Sequence, residues 1–177
     1  MNQSQRRLQF RPYVFLLIFP AVYGCLHFLY FALPDDVLRD GVHYYGIVLP
    51  AAALLNVFAP LEAVSAHHGS LQSARATLEI VRGCDGAGVI FLLVAALVAS
   101  SAGVRHKLLG ILGGAALIYL LNELRVVALY FVVVYRNGWF KPLHNYFIPM
   151  LLIVTSVLFF VWWTGRAHER GKPEEAR

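Results

Sequence analysis

Charge is what this sequence has least of. Only 14% of its 177 residues are Asp, Glu, Lys or Arg, where an ordinary soluble domain carries about a quarter. Cysteine is scarcer still. There are two, Cys25 and Cys84, too few for a disulfide-stapled scaffold. No internal repeat and no low-complexity linker interrupts the chain, so one domain is the expectation at this length. No basic patch interleaved with aromatics stands out on a polar segment, so no nucleic-acid partner is expected.

What fills the space is apolar. Hydrophobic residues make up 59% of the chain and the mean hydropathy is +0.62. Apolar runs at about residues 13–33, 108–135 and 146–164 are long enough to cross about 30 Å of hydrocarbon, and a run at 86–102 is just adequate. The expected fold is an all-α polytopic membrane protein with four transmembrane helices. Residues 34–85 form its extracytoplasmic segment.

A fifth apolar stretch, 47–61, is shorter and bounded by Pro50 and Pro60. Counting it as a span would place Arg105, His106 and Lys107 opposite Arg6, Arg7 and Arg11, and would export the tail holding Arg166, Arg170, Lys172 and Arg177. The positive-inside rule rejects that arrangement, so this stretch is expected as an interfacial or re-entrant helix on the outer side. Both termini are then cytoplasmic, in a multi-pass inner-membrane protein. Partial alternation over Ala76–Arg82 predicts a short strand or small extracytoplasmic hairpin. Val22-Tyr23-Gly24-Cys25 resembles a lipoprotein cleavage box, but the apolar run continues past Cys25 to Leu33, as expected of an uncleaved anchor.

Depth brings three reactive residues together. Cys84, in Gly83-Cys84-Asp85-Gly86, precedes a run that enters from outside. His144 precedes another. Arg125 lies 17 residues beyond Leu108, about 26 Å up a helix that rises from the cytoplasm. That is near the outer edge. Cys25 falls near the middle of its run, so a Cys25–Cys84 disulfide is not expected.

This set suits nucleophilic acyl transfer. A helix N-terminus and nearby cations are expected to lower the Cys84 pKa and favour the thiolate. Arg125 would stabilise an oxyanion and His144 would move protons. Asn122, at i−3 from Arg125, would help orient it. Gly83, Gly86 and Gly88 would let a substrate backbone approach.

Each residue also has a plainer reading: packing for Cys84, an interface anchor for His144, and a structural arginine paired with Glu123, Asn122 or Asp85 for Arg125. Glu62 and Glu79 are expected to be solvated. Trp162 and Trp163 read as an aromatic belt. Two other functions fit the composition. One is a non-catalytic membrane scaffold. The other is a haem- or metal-binding subunit using His27, His43, His67, His68 or His144.

Three motifs carry a family resemblance. They are Leu78-Glu79-Ile80-Val81-Arg82-Gly83-Cys84-Asp85-Gly86, Asn122-Glu123-Leu124-Arg125-Val126-Val127 and Trp139-Phe140-Lys141-Pro142-Leu143-His144. In this order, with the intervening spans, the sequence resembles the exosortase/archaeosortase family, most closely the short exosortase H branch. The resemblance covers about residues 77–163. It implies a cysteine transpeptidase or protease of the Gram-negative inner membrane, with Cys84, Arg125 and His144 on the catalytic positions and the site facing the periplasm. It would act without a cofactor or metal. Its substrates would be C-terminal sorting tails, cleaved through a thioester and passed to an acceptor amine. Asp85 departs from the family pattern, which often has Ser or Asn there. The aspartate would either raise the thiol pKa or hold Arg125. A substrate helix could lie beside Gly110, Gly113, Gly114 and Ala115, although packing within the protein explains those small residues equally.

Overall fold

A computed structural model describes residues 12–169. The basic residues outside that range, on which the expected topology leans, lie outside the described residues. Helix α1 is Pro12–Phe31. Helix α2 has two halves: Val37–Val48, wound as a π-helix, and Leu49–Phe58, α-helical. Three short strands follow, β1 Ser65–His67, β2 Ser70–Gln72 and β3 Thr77–Glu79. Then come α3 Ala87–Ala99, α4 Val104–Arg136 and α5 Ile148–Glu169. Short helical turns over 137–147 reverse the chain between α4 and α5.

Three helical stretches are long and apolar enough to cross a membrane: Tyr13–Phe31, Val37–Phe58, and Val104–Arg166, which contains α4 and most of α5. The fourth expected span is shorter than the sequence suggests. Serines at 100 and 101 and Gly103 end the run early, so α3 has 13 residues, or about 20 Å. It is nevertheless central, packing against α1, α4 and α5. Leu93 and Leu97 bury themselves against Ile118, with Phe159 and Trp163 closing over them.

The glycines of α4 make that closeness possible, and they serve this chain rather than a guest helix. A Cβ on Gly110 would sit 2.4 Å from Trp163 Nε1, and one on Gly114 would sit 2.4 Å from Leu93 Cδ2. Trp163 cannot swing aside freely. Its Nε1 donates to the His106 carbonyl at 3.0 Å, and its ring stacks on His106. Trp163 is therefore an interhelix wedge rather than a belt residue. Gly110→Ala is expected to cost about 1–3 kcal/mol by overpacking, read as a lower Tm in detergent.

The stretch expected at 47–61 as a short interfacial helix begins at Val37 and runs for 22 residues to Phe58. The polar residues of its first half are paired at the surface or buried. Arg39 pairs with Asp40 at 2.8 Å, and His43 is buried. Ile47 and Val48 at the end of its first half, and Ala51, Ala52 and Leu55 in its second, pack against the sheet residues Leu71 and Leu78 and against Val126, Val127, Leu129 and Tyr130 of α4.

The expected strand is one of three. The sheet is an antiparallel meander in the order β1-β2-β3, with Ala66 opposite Leu71 and Leu71 opposite Leu78. Leu71 and Leu78 point inward while Thr77 and Glu79 stay exposed, the alternation of a one-sided sheet. Glu79 is solvated as expected, but Glu62 is not. Its carboxylate accepts from Arg75 at 2.8 Å and from the hydroxyls of Tyr130 and Tyr135 at 3.1 and 3.3 Å. A buried charge persists only where such partners replace water. This network fastens the sheet to the C-terminal part of α4.

Candidate active site

Cys84 sits in a tight turn ahead of α3. Its amide donates to the Val81 carbonyl at 3.0 Å. Gly83 and Gly86 flank it with φ of 88° and 78°, the left-handed region that only glycine enters freely. At Gly86 the space is closed as well: a Cβ there would lie 3.0 Å from Asn122 Cγ. Glycine thus lets the turn rest directly on α4.

From α4, Arg125 rises beside the turn, 7% exposed. From the reversal before α5, His144 approaches on the other side. Its Nε2 lies 3.2 Å from Cys84 Sγ. Phe140, one helical turn earlier, stacks on the imidazole with ring centroids 5.0 Å apart and fixes its plane. The three residues expected to converge do converge.

Arg125 has no carboxylate partner among the described residues. Its Nη1 and Nη2 donate long bonds to the carbonyls of Cys84 and His144, at 3.4 and 3.5 Å. Its Nε, like His144 Nδ1, is buried without a partner among the described residues. The guanidinium therefore bridges two chain segments while leaving donor capacity unused at the thiol.

The supporting roles are distributed differently from the sequence expectation. Asn122 does not orient Arg125. Its amide is 1% exposed, has no hydrogen-bond partner among the described residues and packs under Gly86. Asp85 does not hold Arg125 either. It accepts from the Tyr30 hydroxyl and bonds His43 Nε2 at 3.0 Å, while its Oδ1 accepts from the Ala87 amide at 3.1 Å. Tyr30 was not legible as a site residue, and His43 was read from the sequence only as a haem- or metal-ligand candidate.

The thiol is not activated at rest. Burial pushes Cys84 above the ordinary thiol value, and neighbouring Asp85 adds to that, while Arg125 pulls it down without winning. Burial, and then Arg125, hold His144 below the ordinary imidazole value. The expected resting thiolate is thus replaced by a neutral thiol beside a neutral imidazole. The physical reason is that neither charge has enough solvent to support it.

The other candidates are occupied elsewhere. His27 packs among Tyr23, Phe31 and Phe91. His67 and His68 meet edge to face at the β1–β2 turn, with His68 Nδ1 3.1 Å from Asp40 Oδ1. Among the described residues, no three His, Cys, Asp or Glu side chains gather as a metal site would require. Both cysteines are free, Cys25 exposed on α1. In comparisons with known proteins, the chain matches no family model, no curated protein and no solved structure, so its functional reading rests on the geometry of Cys84, Arg125 and His144.

Proposed function

We propose that this protein is a membrane-embedded cysteine peptidase or transpeptidase that cleaves C-terminal sorting tails at the outer face of the inner membrane, as its resemblance to exosortases implies. The observation that carries this reading is the 3.2 Å approach of Cys84 Sγ to His144 Nε2 across 60 positions of sequence, with Arg125 alongside.

In the proposed topology α1, α3, α4 and α5 span, while α2 and the sheet lie at the outer side. Charge supports it. Arg39, Arg75 and Arg82, all in the outer segment, each pair with a carboxylate. Arg105, Lys107 and Arg166 gather at the opposite end, and no ion pair with a carboxylate is formed by them among the described residues. Cations crowded at one set of span ends mark the cytoplasmic side.

The chemistry follows from the resting state. As a peptide carbonyl docks, His144 Nε2 takes the thiol proton and Sγ forms a bond to the carbonyl carbon. The oxygen gains the negative charge, and Arg125 supplies the unused N–H donors to it. Collapse expels the amine, which takes its proton from His144, and leaves a thioester on Cys84. An acceptor amine, or water, then gives its proton to His144 and attacks the thioester carbonyl; the Sγ–C bond breaks, and Sγ takes that proton back from His144, which restores the thiol.

The test is co-expression with a single-span protein whose apolar tail ends in basic residues. Wild type is expected to shorten it, and Cys84→Ala to leave it intact. Cleavage undiminished in Cys84→Ala would sink the reading.

A further inference from the structure

Cys84 is held on both sides by the same residue. On one side Arg82 donates to the Tyr30 carbonyl at 2.7 Å and to the Leu33 carbonyl at 2.9 Å, with its guanidinium over the Tyr30 ring. On the other side Asp85 accepts from the Tyr30 hydroxyl. His43, reaching from α2, closes the cluster on the same Asp85 oxygen. The Asp85 and His43 side chains are 4% and 3% exposed, and Tyr30 is buried.

A carboxylate one residue from a nucleophile is a conspicuous placement. Its charge opposes formation of the thiolate next door. Three donors fix it there: the tyrosine hydroxyl, His43 and the Ala87 amide. Burial alone would push Asp85 up, but these bonds outweigh it and hold the carboxyl below its ordinary value, so it stays ionised. Arg125 does not quench it, because no Arg125–Asp85 ion pair forms among the described residues.

We propose that Asp85, anchored by Tyr30 and His43, is a positioning residue that fixes the Cys84 turn between α1 and α2 and restrains the thiol through its fixed negative charge. This rests on the reading of Cys84 as the nucleophile. It supplies what an unpaired thiol at an oxidising face needs. Thiolates, not thiols, are the species that oxidise. A nucleophile kept protonated until substrate reaches Arg125 and His144 is protected between turnovers. The groups facing Cys84 are His144, Arg125 and Asp85, and those facing Asp85 are Tyr30, His43 and the Ala87 amide, with Arg82 behind Tyr30.

The experiment is the pH profile of Cys84 alkylation by iodoacetamide, on full-length protein carrying Cys25→Ala in detergent micelles, with no substrate present. Asp85→Asn is expected to move the profile to lower pH and so speed alkylation at neutral pH. His43→Gln, which leaves the carboxylate in place, is expected to show no such downward movement. Where Asp85→Asn fails to fold, Asp85→Ser serves, since serine still caps the Ala87 amide. A profile unmoved by loss of the carboxylate, or moved equally by His43→Gln, overturns the proposal. Tail cleavage surviving Cys84→Ala would instead remove the enzyme reading and leave the alkylation result standing as a fact about the thiol.

Discussion

Replacing His144 with alanine is expected to slow tail cleavage by about 10²–10⁴-fold, and to change the shape of its pH dependence. The reason lies in the resting pair. Burial raises the Cys84 thiol, and burial with Arg125 lowers the His144 imidazole. One proton is therefore shared by the pair across a wide interval, from below the ordinary imidazole value to above the ordinary thiol value. Within it, the thiol can give its proton to Nε2 only as the new bond forms. Below it, His144 is already protonated and the base is lost. Above it, the pair has no proton to give the leaving amine. Wild type is expected to show a broad plateau whose two limbs belong to the pair rather than to either residue. In His144→Ala the acid limb should vanish, and the residual rate should climb with thiolate formation into the alkaline range. Single-turnover cleavage across pH reads both. A variant that kept the wild-type profile at reduced amplitude would show His144 to be structural.

Arg125→Gln is expected to lower kcat by about 10²–10³-fold with little change in KM. Glutamine still offers donors, so a role limited to bridging the Cys84 and His144 carbonyls would be partly preserved. What glutamine lacks is charge at the oxygen that becomes negative in the transition state. The variant should also move Cys84 alkylation to higher pH, because Arg125 is the group that pulls the thiol down. That direction is opposite to the one expected for Asp85→Asn. The two variants thus separate the cation's effect on the thiol from the anion's. A loss confined to KM would mean that Arg125 binds the substrate's ground state and contributes nothing specific to the reaction.

Much of the site was legible because membranes constrain sequence. Arg125 in an apolar run and Cys84 and His144 at run boundaries announce their depth, and depth brings them to one level. The same arithmetic could not see sideways. Whether Asn122 faces Arg125 or Gly86 depends on how the Cys84 turn docks on α4, which spacing alone does not contain. The contacts of Tyr30 and His43 with Asp85 were invisible for the same reason, since both reach it from segments more than 40 residues away. Run length misled twice. Pro50 looked like a helix boundary for the stretch at 47–61, yet it occupies the first turn of the α-helical half, where proline is tolerated. At 86–102, hydropathy continued past the last helical residue, because Ser100 caps back onto the Leu97 carbonyl at 2.7 Å and ends α3.

The brevity of α3 has a consequence for the lipid. On the proposed topology the helix that leads away from the nucleophile covers about 20 Å of a hydrocarbon layer about 30 Å deep. The mismatch must be met by the bilayer pinching inward around α3 or by water dipping toward its ends. Either response lowers the local polar boundary toward Cys84, so that the thiol and the membrane-anchored peptide bond of the proposed reaction would meet in a thinned, wetted dimple. Acyl-chain length then becomes a determinant of access to the site, with thicker membranes closing the dimple over it.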